Sequence, residues 1–322
     1  MRRSNGCQAA ISLGGVEDPV EHEREVLAYL IRRHGHPPEG QIWAGDDAAL
    51  VAPLSRPLIS TDLVVEGVHV DRRLCAFADL GFKAVSVNVS DIAAMGGVPR
   101  AVVIAIAGAS GAEIREIMLG AEEAATQYGC DIVGGDITDG ATLVIAVTAL
   151  GEAEHQPLRR GGARVGDIVY VTGPLGASSA GLRELSRDPA STGPNARAYQ
   201  RPVARVGEGL LLGALGANAA VDCSDGLADA LHLLAQCSGV KIVLESLPGA
   251  EGATNQDVLE GGEDYELVFC LAPEIAVAER FVAGGFRTPI RVGLVTNGLA
   301  SVEFEGQPLL SRGFEHLLGE RQ

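Results

Sequence analysis

Short apolar runs alternate along this sequence with longer segments of helical periodicity, and glycines stand at many of the junctions. The run RAVVIAIAG, residues 100–108, has the length and β-branching of a buried strand. The next segment, residues 111–129, has helical periodicity and ends at a glycine. This alternation predicts an α/β protein in which helices cover the strands.

The same signals predict the other elements of the chain. Helices are expected over residues 21–35, 76–95, 176–187, 204–216, 226–238 and 273–284. Strands are expected over residues 49–54, 57–64, 142–153, 167–173, 219–223, 241–245, 264–272 and 289–296.

The length of 322 residues favours two domains over one. A polar, glycine-containing stretch at 154–167 interrupts the apolar pattern and is the predicted boundary. We expect a flexible lead-in over 1–20, an N-terminal domain over 21–153 and a C-terminal α/β domain over 154–322. A polar insertion at 187–202 is expected to be mobile.

The charge balance restricts the partners. With 25 basic and 42 acidic residues the net charge is −17, which argues against nucleic acid or an anionic membrane as a partner.

The sequence shows no signal peptide and no apolar run of membrane-spanning length, so we expect a cytoplasmic protein. Its six cysteines lack paired spacing and are interpreted as buried, reduced thiols.

Six short segments place acidic residues beside glycine, serine or threonine at the edge of an apolar element. One such segment alone would indicate a turn or a helix cap, as Asp225 before the helix at 226–238 does. Asp91 differs because it lies within an apolar helical pattern, where an unpaired carboxylate is costly and a cation is the simplest partner. The segments span residues 45–50, 60–69, 88–97, 134–140, 222–227 and 261–267.

Carboxylates and hydroxyls on both halves of the chain favour a site for hard cations such as Mg²⁺, which prefer oxygen ligands. The His/Cys spacing of a zinc site is absent, as are the P-loop and dinucleotide-binding glycine motifs. Only Lys83 and Lys241 are lysines. The sequence therefore predicts that phosphate groups are bound by metal ions, glycine amides and arginine.

In order and spacing, these motifs resemble the thiamine-monophosphate kinase family. The matching segments include GDDAAL, STDLVVEGVH, KAVSVNVSDIAAMGG, GGD, VYVTGPLG, DCSDGL, GGEDYELVF and SRGFEHL, and they span nearly the whole chain. The resemblance implies transfer of a phosphoryl group from ATP to thiamine monophosphate in thiamine diphosphate biosynthesis. It also implies the two-domain fold of aminoimidazole ribonucleotide synthetase, a homodimer whose N-terminal domains form a β-barrel, and an active site near the dimer interface.

The resemblance also implies roles for individual residues. Several Mg²⁺ ions would be bound by Asp47, Ser60, Thr61, Asp62, Asp91, Asp136, Asp222 and Asp225. ATP would contact Gly135, Asp136, Arg160 and Ser224, with Arg159 as the alternative to Arg160. The thiamine phosphate would contact His69, Glu263 and Phe314; without the motif, His69 would be an ordinary loop residue and Phe314 a core aromatic.

The expected mechanism is direct in-line phosphoryl transfer without a covalent nucleophile, because the acceptor phosphate oxygen is itself a nucleophile. The alternatives are another ATP-using member of the superfamily, of the selenophosphate synthetase, hydrogenase maturation factor or aminoimidazole ribonucleotide synthetase type, or a non-catalytic nucleotide-binding protein. Cys7 lacks the context of the selenophosphate synthetase cysteine.

The chain departs from the family pattern at three places. Ile137 replaces a polar neighbour of Asp136, Ala177 stands where an acidic residue is common, and Ala204 lies near the position of a second proline. We expect these differences to alter details of the nucleotide pocket and not the reaction.

Overall fold

The computed structural model describes residues 23–311 and residue 313, and its strands form two mixed sheets. The first sheet contains β1 (Pro57–Val65), β2 (Gly97–Ala107), β3 (Asp131–Thr138) and β4 (Val144–Ala153). Their spatial order is β1-β4-β2-β3, with β2 and β3 parallel and the other neighbours antiparallel. This sheet therefore has β1 and β3 as its two edges.

The second sheet has seven strands. They are β5 (Ile168–Val171), β6 (Ala219–Asp222), β7 (Lys241–Leu244), β8 (Leu267–Leu271), β9 (Ile290–Thr296), β10 (Ser301–Phe304) and β11 (Gln307–Pro308). Their spatial order is β11-β10-β7-β9-β5-β8-β6. The division into two sheets falls between β4 and β5; the domain limits themselves remain a prediction.

Nine helices lie in the described part of the chain, and none of them is long and apolar enough to cross a membrane. The helices are α1 (Glu23–His34), α2 (Phe77–Ala94), α3 (Gly111–Tyr128), α4 (Ala177–Leu185), α5 (Pro194–Gln200), α6 (Val206–Leu215), α7 (Leu227–Ser238), α8 (Asn255–Glu260) and α9 (Val277–Ala283).

The predicted α/β class is confirmed, but several local predictions are wrong. No strand covers 49–54, where Leu50 forms only an isolated bridge with Ile42. Strand β3 was missed because its two glycines and two acidic residues hide the β pattern. The insertion at 187–202 is not a simple polar loop, because it contains α5, whose Ala196 and Tyr199 are buried in the N-terminal core.

Three of the smaller elements, α8, β10 and β11, were also not predicted from the sequence. The cysteine prediction holds for most of the thiols described, since Cys75, Cys130, Cys223 and Cys270 are buried. Cys237, by contrast, is exposed. Cys7 lies outside the described residues.

Helix α2 is the central element, and every residue from Leu80 to Ser90 is buried. It packs on the first sheet and crosses α3 at a pair of glycines. A Cβ added to Gly81 would lie 1.8 Å from the Ile117 carbonyl oxygen, and one added to Gly120 would lie 1.7 Å from that of Ala78. The two backbones can approach this closely only because both side chains are absent.

The close crossing predicts a specific stability effect. Gly120→Ala should lower the free energy of unfolding by about 2 kcal/mol, because α2 and α3 must move apart. Gly213→Ala is the matched control: Gly213 also lies in a helix, but its added Cβ would meet nothing nearer than 3.6 Å. Helix propensity should make that change neutral or stabilising by up to about 1 kcal/mol. Urea unfolding of the two variants measures this difference. Equal midpoints for Gly120→Ala and Gly213→Ala would contradict the close crossing.

Candidate active site

Four of the predicted metal ligands lie near one another where α2 contacts β1 and β6, and we call them the cleft acids: Asp62, Asp91, Asp222 and Asp225. They come from β1, α2, the end of β6 and the turn before α7. The negative charges of Asp222 and Asp62 both raise the pKa of Asp91, and that of Asp225 raises the pKa of Asp62. Both halves of the chain therefore contribute to one electrostatically coupled group.

The cleft acids bring several negative charges close together, and burial partly removes these carboxylates from water. Burial first, and then the neighbouring carboxylates, raise the pKa of Asp91 to about 7, while the charge of Arg160 opposes this shift. Burial also raises the pKa of Asp222, although the Ser90 hydroxyl donates to its Oδ2 atom at 2.7 Å. Asp62 is exposed to solvent at the same cleft, yet loss of hydration still raises its pKa. A bound cation would relieve this repulsion.

The cleft acids do not form a closed metal site within the described residues. Over residues 23–311 and 313, no three His, Cys, Asp or Glu side chains approach closely enough to hold a metal by themselves. Mg²⁺ is usually held by one or two carboxylates, with water and substrate phosphates completing its shell. Separated carboxylates are compatible with this mode of coordination, which does not require a complete set of protein ligands.

Asp225 does not cap the following helix. The N-terminal cap of α7 is Gly226, without a side-chain hydrogen bond. The Asp225 Oδ2 atom instead accepts from the Ser224 hydroxyl at 2.6 Å. The interpretation of this aspartate as an ordinary helix cap is therefore wrong, and its carboxylate remains in the cleft.

The hydroxyl groups of Ser60 and Thr61 donate hydrogen bonds to backbone carbonyls of the protein. The Ser60 hydroxyl donates to the Asn88 carbonyl at 2.9 Å, and that of Thr61 to the Val147 carbonyl at 3.0 Å. The Thr61 oxygen also lies 3.0 Å from the Thr148 hydroxyl oxygen. Because the protons point at carbonyls, lone pairs remain on both hydroxyl oxygens for a cation.

A second group of predicted residues, Asp47, Gly135 and Asp136, lines a cavity of about 730 Å³ at the β3 edge. Most of its other lining residues are apolar, among them Leu27 of α1 and Trp43, although His34, Asp46 and Thr148 also border it. A Cβ on Gly135 would lie 1.9 Å from the Ile104 carbonyl oxygen, so glycine is required for β3 to pair with β2. A mainly apolar cavity with a few acids and glycine amides in its lining suits a nucleotide.

The structure does not bring all eight predicted metal ligands together within one chain. Asp62 pairs with Val147, Val147 with Ile104, and Ile104 with Gly135, so these residues form one row across the sheet. Three strand spacings separate its ends, which is about 14 Å. Asp136, next to Gly135, therefore lies at the opposite edge from Asp62.

A further cavity of about 660 Å³ adjoins the cleft acids and is lined by Asp62, Asp225, His69, Ser224 and Glu263. His69 Nδ1 accepts from the Val65 amide at 3.1 Å, which places the proton of the neutral ring on Nε2. Glu263 adopts a φ of 67°, a strained conformation for a residue with a side chain. We call this the acceptor cavity. The third predicted substrate residue, Phe314, lies outside the described residues.

Among the cavity residues that were not predicted as site residues are Lys83 and Tyr199 in the acceptor cavity, and Trp43 in the other. Lys83 precedes Asp91 by eight residues, a spacing that places both on one face of a helix. Lys83 is one of only two lysines and lies in an apolar helical pattern. It was overlooked because it was considered only as a P-loop lysine, and the sequence has no P-loop. Tyr199 offered no signal, because it lies in the polar insertion.

Asp264 binds the backbone on both sides of Ala177. This carboxylate accepts from the amides of Gly176 at 2.5 Å and Ser178 at 3.0 Å, at the start of α4. Burial raises the pKa of Asp264 to about 6. The helix end beside the acceptor cavity is thus already occupied by a carboxylate of the chain.

Comparisons with known proteins agree with this architecture. The chain matches the N-terminal domain of AIR synthase related proteins over residues 45–153 and their C-terminal domain over residues 164–300. The fold and the site thus define an AIR synthase-related protein.

Two relatives within this class carry the same name. The thiamine-monophosphate kinase of Methanopyrus kandleri is 35% identical over 274 residues, 80% of this chain and 87% of the relative. That of Mycobacterium tuberculosis is 34% identical over 303 residues, 88% of each chain. The chain belongs to the thiamine-monophosphate kinase family, whose members are phosphotransferases.

Solved structures extend the comparison. The thiamine-monophosphate kinase of Stenotrophomonas maltophilia K279a has a TM-score of 0.79 at 32% identity, covering 88% of this chain and 97% of that one. AaThiL, solved in complex with AMPPCP and TMP, has a TM-score of 0.74 at 32% identity, covering 92% and 97%. Escherichia coli HypE, at 20% identity with a TM-score of 0.73 and coverage of 92% and 98%, shares the fold alone.

The raised pKa of Asp91 predicts how the stability of the metal-free protein depends on pH. Because the folded state holds this proton up to about pH 7 and the unfolded state releases it near 3.8, the folded state binds more protons in between. Stability should therefore fall as the pH rises from about 4 to 7. In EDTA, Asp91→Asn should flatten this fall, and melting temperatures across the range measure it. Parallel curves for the variant and the wild type would contradict the assignment.

Proposed function

We propose that this chain transfers the γ-phosphoryl group of ATP to the phosphate of thiamine monophosphate, giving ADP and thiamine diphosphate. The observation that carries the proposal is the contact between the cleft acids and the acceptor cavity, which share Asp62 and Asp225. An acidic cavity attracts the cationic thiazolium ring of this substrate. Membership of the kinase family supports the same reaction, as does the relative solved with AMPPCP and TMP.

Mg²⁺ is the proposed cation. The residues that would hold it are the cleft acids together with Asp47, Ser60, Thr61 and Asp136. When bound, Mg²⁺ neutralises charge on the phosphate groups that are to be joined. The repulsion among the cleft acids, expressed in the raised pKa of Asp91, supports this role.

The proposed transfer is direct and in line, since an oxygen of the acceptor phosphate can attack the γ-phosphorus itself. The protein then has to align two anions and supply no covalent nucleophile. Arg160 is close enough to Asp91 and Asp222 for its charge to lower the pKa of both. Its guanidinium is therefore well placed to bind phosphate oxygens, and this favours Arg160 over Arg159.

We further propose a homodimer in which the two copies share each site. The open face of the first sheet exposes Ile59, Leu63 and Val103, which are 71%, 52% and 37% exposed. A two-fold axis that sets the β1 edge of one copy beside the β3 edge of the other closes an eight-stranded barrel over this face. The same arrangement moves Asp136 of a second copy toward Asp62, which bridges the separation of about 14 Å within one chain.

Subunit mixing tests the shared site. Asp62→Asn and Asp136→Asn homodimers should each be inactive, whereas a heterodimer keeps one site with both aspartates. After the two variants are unfolded together and refolded in equal amounts, about a quarter of wild-type activity should return, because half the dimers are mixed and each has one intact site. Activity that stays at the level of the separate variants would contradict a site built from two copies.

Substitution of the ligands tests the catalytic proposal. Asp91→Asn and Asp222→Asn should lower kcat/KM for thiamine diphosphate formation by about a thousandfold or more, because charge neutralisation supplies most of the rate. Asp139→Asn is the control: Asp139 lies in a similar acid–glycine segment but accepts from the Gly140 amide in a turn. Product is followed together with ADP, with and without EDTA. Wild-type rates in both ligand variants would remove the proposed role of the cleft acids.

A further inference from the structure

Lys83 is a fully buried ammonium group with partners from three parts of the fold. Its side chain, on α2, is 1% exposed. The Nζ atom donates to Glu263 Oε2 at 2.9 Å and to the Tyr199 carbonyl at 3.1 Å. It also lies 4.2 Å from the centre of the Tyr199 ring, within the range of a cation–π interaction.

Such burial requires compensation, because an ammonium loses its hydration on leaving water. The compensation here comes from a carboxylate, a carbonyl and an aromatic face, contributed by the segment between α8 and β8 and by α5. The other lysine, Lys241, has an ordinary environment: it is 30% exposed and pairs with Glu303 across neighbouring strands. Lys83 therefore occupies a specialised position.

Glu263 is held in place from several directions. Its backbone has a φ of 67°, and its amide donates to the Ser224 carbonyl at 2.7 Å. Its Oε2 atom is bound by Lys83, and 26% of the side chain remains exposed where it borders the acceptor cavity. One oxygen of the carboxylate is thus fixed by the protein, while the group as a whole still faces a ligand.

We propose that Lys83 is a positioning residue for the acceptor substrate: it fixes the Glu263 carboxylate so that this group accepts a hydrogen bond from an N–H donor of the ligand. The inference rests on the proposed function, in which that donor is the amino group of the aminopyrimidine ring of thiamine monophosphate. A carboxylate can accept several hydrogen bonds, so Glu263 can accept one from a ligand while Lys83 Nζ holds its Oε2 atom at 2.9 Å.

The position of Lys83 on α2 also sets the orientation of the substrate. Lys83 and Asp91 are eight residues apart on the same side of the helix, which is about 12 Å along its axis. Thiamine monophosphate has a comparable length from its aminopyrimidine ring to its phosphate. One rigid helix therefore holds two groups at a fixed separation. The Lys83–Glu263 pair binds the ring, and the Asp91 carboxylate lies beside the phosphate.

Steady-state kinetics of Lys83→Met test the proposal, with Lys241→Met as the matched control. Methionine keeps the unbranched shape of lysine and removes the charge. We expect KM for thiamine monophosphate to rise at least about tenfold, the value of one lost hydrogen bond to a charged group. KM for ATP should stay within about twofold, and Lys241→Met should leave both constants unchanged. An unchanged KM for thiamine monophosphate, or equal rises in both KM values, would overturn the proposal.

A double-mutant cycle separates positioning from a purely structural role. If Lys83 acts through Glu263, Lys83→Met should raise KM for thiamine monophosphate by less than about twofold in a Glu263→Gln background. Effects that multiply independently would overturn the inference. Melting temperatures and ATP-analogue binding by each variant show that the fold is retained. Absence of kinase activity in the wild type would instead refute the proposed function, so the two failures are distinguishable.

Discussion

The rest of the structure depends on the burial of α2. A helix enclosed over most of its length must compensate the polar groups that it carries, and α2 does so for most of them with partners from across the fold, although Asn88 Oδ1 has no hydrogen-bond partner. The Ser86 hydroxyl lies 2.9 Å from that of Tyr128, Ser90 donates to Asp222, and Lys83 pairs with Glu263. The Asp91 carboxylate is only partly compensated, by the charge of Arg160, and its raised pKa records that deficit. The deficit is what makes a cation favourable at this point.

Burial of α2 also joins the two halves of the chain. Its crossing with α3 at Gly81 and Gly120 fixes it on the first sheet, while Ser90 and Lys83 reach segments that belong with the second sheet. Because α2 is rigid, the carboxylate at one end and the ammonium at the other keep a fixed separation. The cleft acids and the acceptor cavity are therefore parts of one arrangement, whose geometry follows from the packing of a single helix.

The sequence predicted the parts of this arrangement that leave a local signal. Asp91 was singled out because a carboxylate in an apolar helix needs a partner, and the α/β class followed from periodicity. Strand β3 and helix α5 were missed because glycine pairs and polar composition conceal elements that tertiary packing stabilises. The Lys83–Glu263 pair spans 180 positions, so no local pattern reveals it. The separation of Asp62 from Asp136 depends on strand order, which the motifs alone do not contain.

Anomalous diffraction from a crystal grown with Mn²⁺, an ATP analogue and thiamine monophosphate tests the central claim most directly, since Mn²⁺ takes the same oxygen ligands as Mg²⁺. The account predicts manganese peaks at the carboxylates of Asp91 and Asp222, with the aminopyrimidine ring beside Glu263 and the substrate phosphate toward the metal. Manganese bound only elsewhere, or a substrate lying in the reverse direction along α2, would contradict it.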